Sequence, residues 1–452
     1  MDKLCTDALA GILSHLPPRS LAASRCVCKA WHAAVDGHRL LRAELLPLSL
    51  DAVIFTTGDP SDPILFCRPT TGCSIITRLD YVDADMEPWY VWSVLDSCNG
   101  LLLLDDHLVN PATRQSSRFP AQPPPCAVPG CTSCKDIERN QYLVYDPTVS
   151  PHYEVVLIPH IPRELSIGHI AKHACGHGPN VTAMEWPLSP FIIDVFSSKT
   201  RCWKEKPYTQ EGQAAGTIAN QKTDHDAFLY HSAYWHGVRY VRCEEGFMLS
   251  RVLQTDTMPM SKMEVIKLPK EKEGEPYLGK SEKGVYCTLI HQRCTCEVWF
   301  LDESSGQMHW VLRNEINFEL AVREYSWNHV HREPWTLHDP MCMSKNIVNI
   351  MRLDDENGTL VKDVFSLDSD DENAIDTAGW PRAHERDPHL FHCFGFYPYK
   401  EIVLFYDDHS TVTAYHLKSS KIRYLGKVES FYNDIREWFP YAACWVRDLP
   451  GS

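Results

Sequence analysis

Three segments of the chain share one pattern, which restricts the fold more than any other feature. Asp194 to Trp203 reads DVFSSKTRCW, Leu301 to Trp310 reads LDESSGQMHW, and His416 to Leu425 reads HLKSSKIRYL. In each, a short strand-like run enters a Ser-Ser turn and returns on a second run ending in a large apolar residue. Weaker copies centre near Pro69-Thr70, Asn110-Pro111, Asp146-Pro147, Thr255-Asp256 and Asp355-Glu356. The turns recur every ~35 to 65 residues, and a period of roughly 40 to 50 with several strands per repeat is that of propeller blades. Counting turns gives about eight blades; six or seven are also compatible, because two of the weak copies can be ordinary hairpins. The repeats are too many and too evenly spaced for one two-sheet domain, and a closed ring hides most of the sheet edges that a long all-β chain must protect. The expectation is a large all-β domain over residues 47–449, a β-propeller.

Each blade of such a ring buries its faces against its neighbours. Trp203, Trp299 and Trp310 are therefore expected to wedge between blades, not to hold a ligand. Three stretches read as loops outside the blades. Pro120 to Cys134 is rich in Pro and Cys, and Lys270 to Lys283 is a charged, solvated connection. An acidic insert at about 354–388 contains Asp368-Ser369-Asp370-Asp371-Glu372 and reads as a solvated segment.

Ahead of Pro47 the texture is helical. Leu9, Ile12, Leu13 and Leu16 recur at helical spacing behind Thr6, a capping residue. Pro17-Pro18 stop that helix, because proline has no N–H to donate and restricts the residue before it. Ser20 caps a second helix with Leu21, Ser24, Val27, Cys28 and Trp31 on one side and a bend near Lys29. A third runs from about His38 to Leu46. A unit of about forty residues usually cannot bury enough apolar surface to be stable alone. It must dock on the rest of the chain, on a partner, or on both.

This opening stretch resembles the F-box. That family's pattern starts on Leu-Pro, places Ile-Leu before a Leu-Pro, continues with Ser-Leu and closes on Val-Cys-Lys-x-Trp. Here the matching residues are Leu4-Cys5, Ile12-Leu13, Leu16-Pro17, Ser20-Leu21 and Val27-Cys28-Lys29-Ala30-Trp31. Cys5 departs from the usual proline, and across Ala23 to Arg25 the usual basic residue appears only at Arg25. The β region resembles plant F-box proteins with a C-terminal kelch-like or F-box-associated domain. The residues that carry this are Ser97-Cys98-Asn99-Gly100-Leu101-Leu102-Leu103, Val109-Asn110-Pro111-Ala112-Thr113-Arg114 and Gly395-Phe396-Tyr397-Pro398-Tyr399-Lys400-Glu401-Ile402.

Together the resemblances imply a small all-α F-box domain of three helices at residues 1–46, followed by the propeller. They imply a non-catalytic substrate-recognition subunit of an SCF-type E3 ubiquitin ligase. Leu4, Leu9, Ile12, Leu13, Leu16, Pro17, Leu21, Val27, Cys28 and Trp31 would then dock a Skp1-type adaptor, and through it a cullin–RING ligase. Some of these must instead form the helical core, and spacing does not divide them. The propeller would hold the target protein, with no cofactor. The alternative is a propeller that binds or processes a small molecule or glycan, with the helices as a structural cap; a channel cluster of His and carboxylates would favour it.

The remaining signals are weaker. The formal charge of −15 argues against nucleic acid as main partner, since phosphate binding wants a basic face. No signal peptide and no run near the roughly 20 apolar residues of a membrane span is visible, so the expectation is an intracellular protein, in cytoplasm or nucleus, with its 18 cysteines mostly reduced. Cys126, Cys131 and Cys134 with His173, Cys175 and His177 have the residue types of a zinc site, but a lone Cys-x-x-Cys in a Pro-rich loop is a weak signal, and no metal site is expected. Gly274 to Ser281 matches the phosphate-loop pattern by letter. Pro276 removes an N–H, Glu271, Glu273 and Glu275 repel phosphate, and a strand follows where a helix is needed, so a charged loop is expected. Cys294-x-Cys296 reads as strand packing. No Gly-x-Ser-x-Gly elbow, His-Glu-x-x-His or dinucleotide fingerprint occurs, which suits a scaffold that contributes proximity.

Overall fold

A computed structural model of the chain describes residues 6–16, 20–21, 24–25, 27–38, 40, 50–57, 63–67, 79–82, 92–124, 139–159, 185–186, 191–212, 214, 216–217, 232–243, 247–252, 261–269, 275–291, 295–304, 308–318, 335–338, 375–376, 391–407, 410–428, 435–444 and 449. Beyond residue 50 the described elements are strands, mostly in antiparallel four-stranded meanders. β1 (Ala52–Thr57) and β2 (Ile64–Cys67) open the ring. β3 (Asp96–Cys98), β4 (Leu101–Leu103), β5 (His107–Asn110) and β6 (Gln115–Arg118) form one complete meander. β7 (Arg139–Val144) and β8 (Glu154–Pro159) continue into β10 (Phe191–Ser197) and β11 (Cys202–Glu211); β9 (Glu185–Trp186) pairs separately with β12 (Gly216–Thr217). Next come β13 (Ser232–Trp235), β14 (Val238–Cys243), β15 (Phe247–Val252) and β16 (Ser261–Lys267), then β17 (Glu275–Ser281), β18 (Gly284–His291), β19 (Thr295–Asp302) and β20 (His309–Asn317).

β21 (Thr336–His338) adds to β2, and β22 (Ile375–Asp376) adds to the last meander, β23 (Phe391–Phe396), β24 (Ile402–Asp407), β25 (Thr411–His416) and β26 (Lys421–Lys427). β27 (Ile435–Tyr441) then pairs antiparallel with β1, so residues from the two ends of the β region share one sheet. The inner strands β3, β17, β23 and β27 neighbour one another from sheet to sheet. The result is a propeller-like arrangement of five sheets of four or more strands among the described residues. One is of double width, because β11 and β16 pair in parallel and join two meanders edge to edge.

Among the described residues the expected eight blades are therefore not present. The Ser-Ser turns at 198, 304 and 419 and the Asn110-Pro111 turn each join the third and fourth strands of a meander. The Asp146-Pro147 turn joins the first and second strands of a meander already counted at Ser198. Turn chemistry is set by local φ/ψ and is the same at any corner of a sheet, so counting turns overcounts sheets. The turns expected near Pro69, Thr255 and Asp355 lie outside the described residues.

A second correction concerns Lys270 to Lys283. Its second half is not a solvated loop but β17, an inner strand with Tyr277, Leu278 and Ser281 buried. The phosphate-loop match falls on this strand, which pairs with β18 and leads into no helix. Trp203 and Trp310 bridge sheets as expected, whereas Trp299 donates to Glu297 of its own strand. Trp203 packs on Phe119 and Phe196 and donates from Nε1 to the Pro120 carbonyl at 2.9 Å, bridging to the preceding sheet. Trp310 reaches the Lys267 carbonyl at 2.8 Å in the same way.

The largest apolar cluster lies where β1, β2, β18, β19 and the last meander meet, with the Phe66 ring tilted against Trp335, centroids 5.4 Å apart. Each fully buried Phe or Leu there contributes roughly 1.5–3 kcal/mol relative to exposure.

Candidate functional site

Two places on the molecule are candidate sites. The first is the helical unit. α1 (Thr6–Leu13) forms where its apolar spacing predicts and continues as a turn to Leu16, ahead of Pro17. The expected second helix is interrupted. The Ser24 hydroxyl donates to the Leu21 carbonyl at 2.7 Å, a side-chain bond that competes with helix continuation, and a new helix α2 (Lys29–Gly37) starts at the expected bend. Two helices are thus described where three were expected; most of the third, 39 and 41–46, lies outside the described residues.

The structure divides the ten expected adaptor residues. Leu13 and Leu21 are buried with Ala34 and Val35, and Leu9, Leu16 and Trp31 pack half-buried against them. Ile12, 59% exposed, Val27, 62% exposed, and Cys28 face outward. Leu4 and Pro17 lie outside the described residues. Among the described residues of the helical unit, Ile12 and Val27 are the large apolar side chains left most exposed to water.

The second place is a pocket where the inner strands converge. Asp96 on β3, Arg239 on β14, Lys280 on β17 and Trp438 on β27 all line it. Asp96 is buried; its carboxylate accepts from Arg239 Nη2, from the Leu143 N–H at 2.7 Å and from the Ser232 hydroxyl at 3.4 Å. One side chain thus ties together β3, β7, β13 and β14. Burial pushes its carboxyl up, and the Arg239 guanidinium and the Leu143 N–H pull it back. Lys280 donates from Nζ to Asn99 Oδ1 at 2.8 Å, and burial lowers its pKa.

Asn99 is placed by its turn. Asn99 and Gly100, at φ +48° and +83°, form the two-residue connection between β3 and β4, and Asn-Gly is the pair that tolerates positive φ at both positions. Asn99 Nδ2 also donates to the Tyr145 carbonyl at 2.8 Å. Nearby, Asn110 is buried and donates from Nδ2 to the Cys444 carbonyl at 2.9 Å. The two Asn motifs of this region therefore hold the inner turn and the segment that follows β27. Sequence reading missed Lys280 and Arg239 as site residues. Lys280 sat in a charged run that resembles a loop; the alternation of Tyr277, Gly279 and Ser281 was the available signal.

Glu437 on β27 is the titratable group with the clearest consequence. Burial lifts its carboxyl to about 8, and the Asp96 carboxylate adds to the shift. In the unfolded chain it loses its proton near pH ~4.3. Folding therefore takes up a proton between these values, and stability falls as pH rises through that window before levelling off above it. Glu437→Gln keeps the neutral form. Urea melts should show the variant close to the parent at pH 4.5 and more stable at pH 9, by on the order of several kcal/mol. Parallel pH profiles would remove Glu437 as the source.

Among the described residues no cluster of His, Cys, Asp and Glu could hold a metal ion. The Cys126, Cys131, Cys134, His173, Cys175 and His177 group lies outside them. Among the described residues no helix is long and apolar enough to cross a membrane.

Comparison with known proteins adds one specific finding. No curated protein matches the chain. Among solved structures, a chain of the mitotic checkpoint complex is 8% identical over 83% of this chain and 84% of its own, with a TM-score of 0.30. Citrobacter koseri AztD is 11% identical over 86% of each chain, also at 0.30. Kluyveromyces lactis Hsv2p is 10% identical over 60% of this chain and 72% of its own, at 0.24. Superpositions at that level carry no argument. The F-box domain profile matches residues 1–43. The chain therefore carries an F-box domain at residues 1–43, ahead of a propeller-like β fold.

Proposed function

We propose that this protein is the substrate-recognition subunit of an SCF-type ubiquitin ligase. The F-box domain docks a Skp1-type adaptor, and the β region, from about residue 47 to 449, binds the target protein. The carrying observation is the F-box domain at residues 1–43 with Ile12 and Val27 exposed on it. F-box domains generally bind Skp1 within cullin–RING ligases. The chain then contributes binding and orientation, holding a target where another subunit's chemistry reaches it.

Of the ten candidate residues, Ile12, Val27 and Cys28 supply contact, while Leu13 and Leu21 supply the core that presents them. The test is co-purification of the full chain with a Skp1-type adaptor. The parent should bind. Ile12→Asp/Val27→Asp should weaken binding about 100-fold or more, since apolar anchors at interface centres cost about 2 kcal/mol or more each when lost. The thermal melt of the β region should not change. Retained binding by the double variant would move the contact elsewhere. No binding by the parent would make the helices a structural cap.

A further inference from the structure

The pocket between the inner strands holds more positive charge than its own acceptors use. Arg239 directs Nη2 to Asp96 and Ser232, and its buried Nε has no hydrogen-bond partner among the described residues. Among the described residues Lys280 makes one hydrogen bond, to the neutral amide oxygen of Asn99. An ammonium carries three donors, so two are left over. Asp146 acts on Lys280 through space, but its oxygens are held by Thr148 and Tyr234, and it does not line the pocket. The charged side chains of the wall are Asp96, Arg239 and Lys280, whose formal charges sum to one positive.

Aromatic side chains, among them Tyr277, Phe396, Tyr399 and Trp438, share the remaining wall with Ser97, Asn99 and Ser232, and the space is about 90 Å³. That is room for several water-sized groups, not for a sugar chain or a nucleotide. Gly279 keeps the space narrow: a Cβ there would meet the Phe396 ring at 2.5 Å. A lysine with donors to spare beside a partly aromatic wall suits a small organic anion of single charge. Phosphate carries more charge than the wall offers, and the fixed Asp96 carboxylate would repel it.

We propose that this pocket binds a monocarboxylate on a short apolar stem, with Lys280 Nζ as its donor. The carboxylate belongs either to a free small acid or to an acidic side chain of a bound protein. The site does not depend on the F-box domain, so it and adaptor docking succeed or fail separately.

The experiment uses the full chain and follows melting temperature and titration heat with sodium butyrate, neutral butyramide and inorganic phosphate at constant ionic strength. Butyrate should stabilise the protein saturably, and butyramide and phosphate should not. Lys280→Met should weaken butyrate binding about 10- to 100-fold, the usual effect of losing a charged hydrogen bond. The same variant should melt close to the parent without ligand, because the one hydrogen bond it removes is to a neutral amide that stays held by the Tyr145 carbonyl. A blocked peptide with a single glutamate separates the sources. Binding at least as tight as butyrate assigns the site to a protein side chain; binding of butyrate alone assigns it to a small acid. An unsaturable response, an equal response from Lys280→Met, or butyramide or phosphate matching butyrate would overturn the proposal.

Discussion

Asp96→Ala should destabilise the folded chain by about 3–5 kcal/mol, the cost of stranding one member of a buried ion pair. Arg239 would keep its charge, at 2% exposure, with only the Ser232 hydroxyl to accept from it. The Leu143 N–H would also lose its acceptor. Four strands of two sheets meet on this one carboxylate, so the loss should appear in global unfolding and not as local fraying. Guanidinium melts of Asp96→Ala, Arg239→Met and the double variant give the coupling directly. The double variant should recover most of the loss, since an apolar replacement for both partners is often near neutral. A cost below ~1 kcal/mol for Asp96→Ala would mean that water already reaches the pair.

Gly100→Ala should cost about 2–5 kcal/mol, and the comparison that tests the reason is Gly212→Ala. Both glycines have φ near +82°, so both substitutions incur the left-handed penalty of roughly 1–2 kcal/mol. A Cβ at Gly212 meets nothing within 4 Å. At Gly100 it would run into the Ala442 carbonyl and into Cys444, whose backbone N lies 2.6 Å away. These atoms follow β27, the strand whose pairing with β1 brings the two ends of the β region together. Relief therefore means shifting that segment and its bonds to Asn110 and Asp51. Equal losses at the two positions would show that the backbone angle alone matters and that the close approach does not.

Local signals were legible wherever the chemistry is local. The Ser-Ser turns are hairpin turns at 198, 304 and 419, and the Asn99-Gly100 pair is a two-residue turn because its φ values demand it. The stop and spacing of the first helix follow from Leu9, Ile12, Leu13 and the two prolines. Blade number was not legible. The parallel contact between β11 and β16 joins residues that no turn connects, and nothing in either strand announces its partner. Nor was the division of Ile12 from Leu13: adjacent on the helix, one is 59% and the other 1% exposed, because Ala34 and Val35 of α2 cover only one of them.

The sequence by itself determined the order of the parts: a helical unit with the F-box pattern, then an all-β region built from repeated hairpins. Periodicity, caps and turns act over a few residues, and the alphabet records them. Only the tertiary structure decided that Asp96, Arg239 and Lys280 share a pocket. They lie far apart in the chain, and one of them looked like part of a solvated loop. Their meeting depends on which strand of each sheet lies innermost. That is settled by packing between sheets, through buried aromatics and ring closure by β27, and not by any residue's own preference.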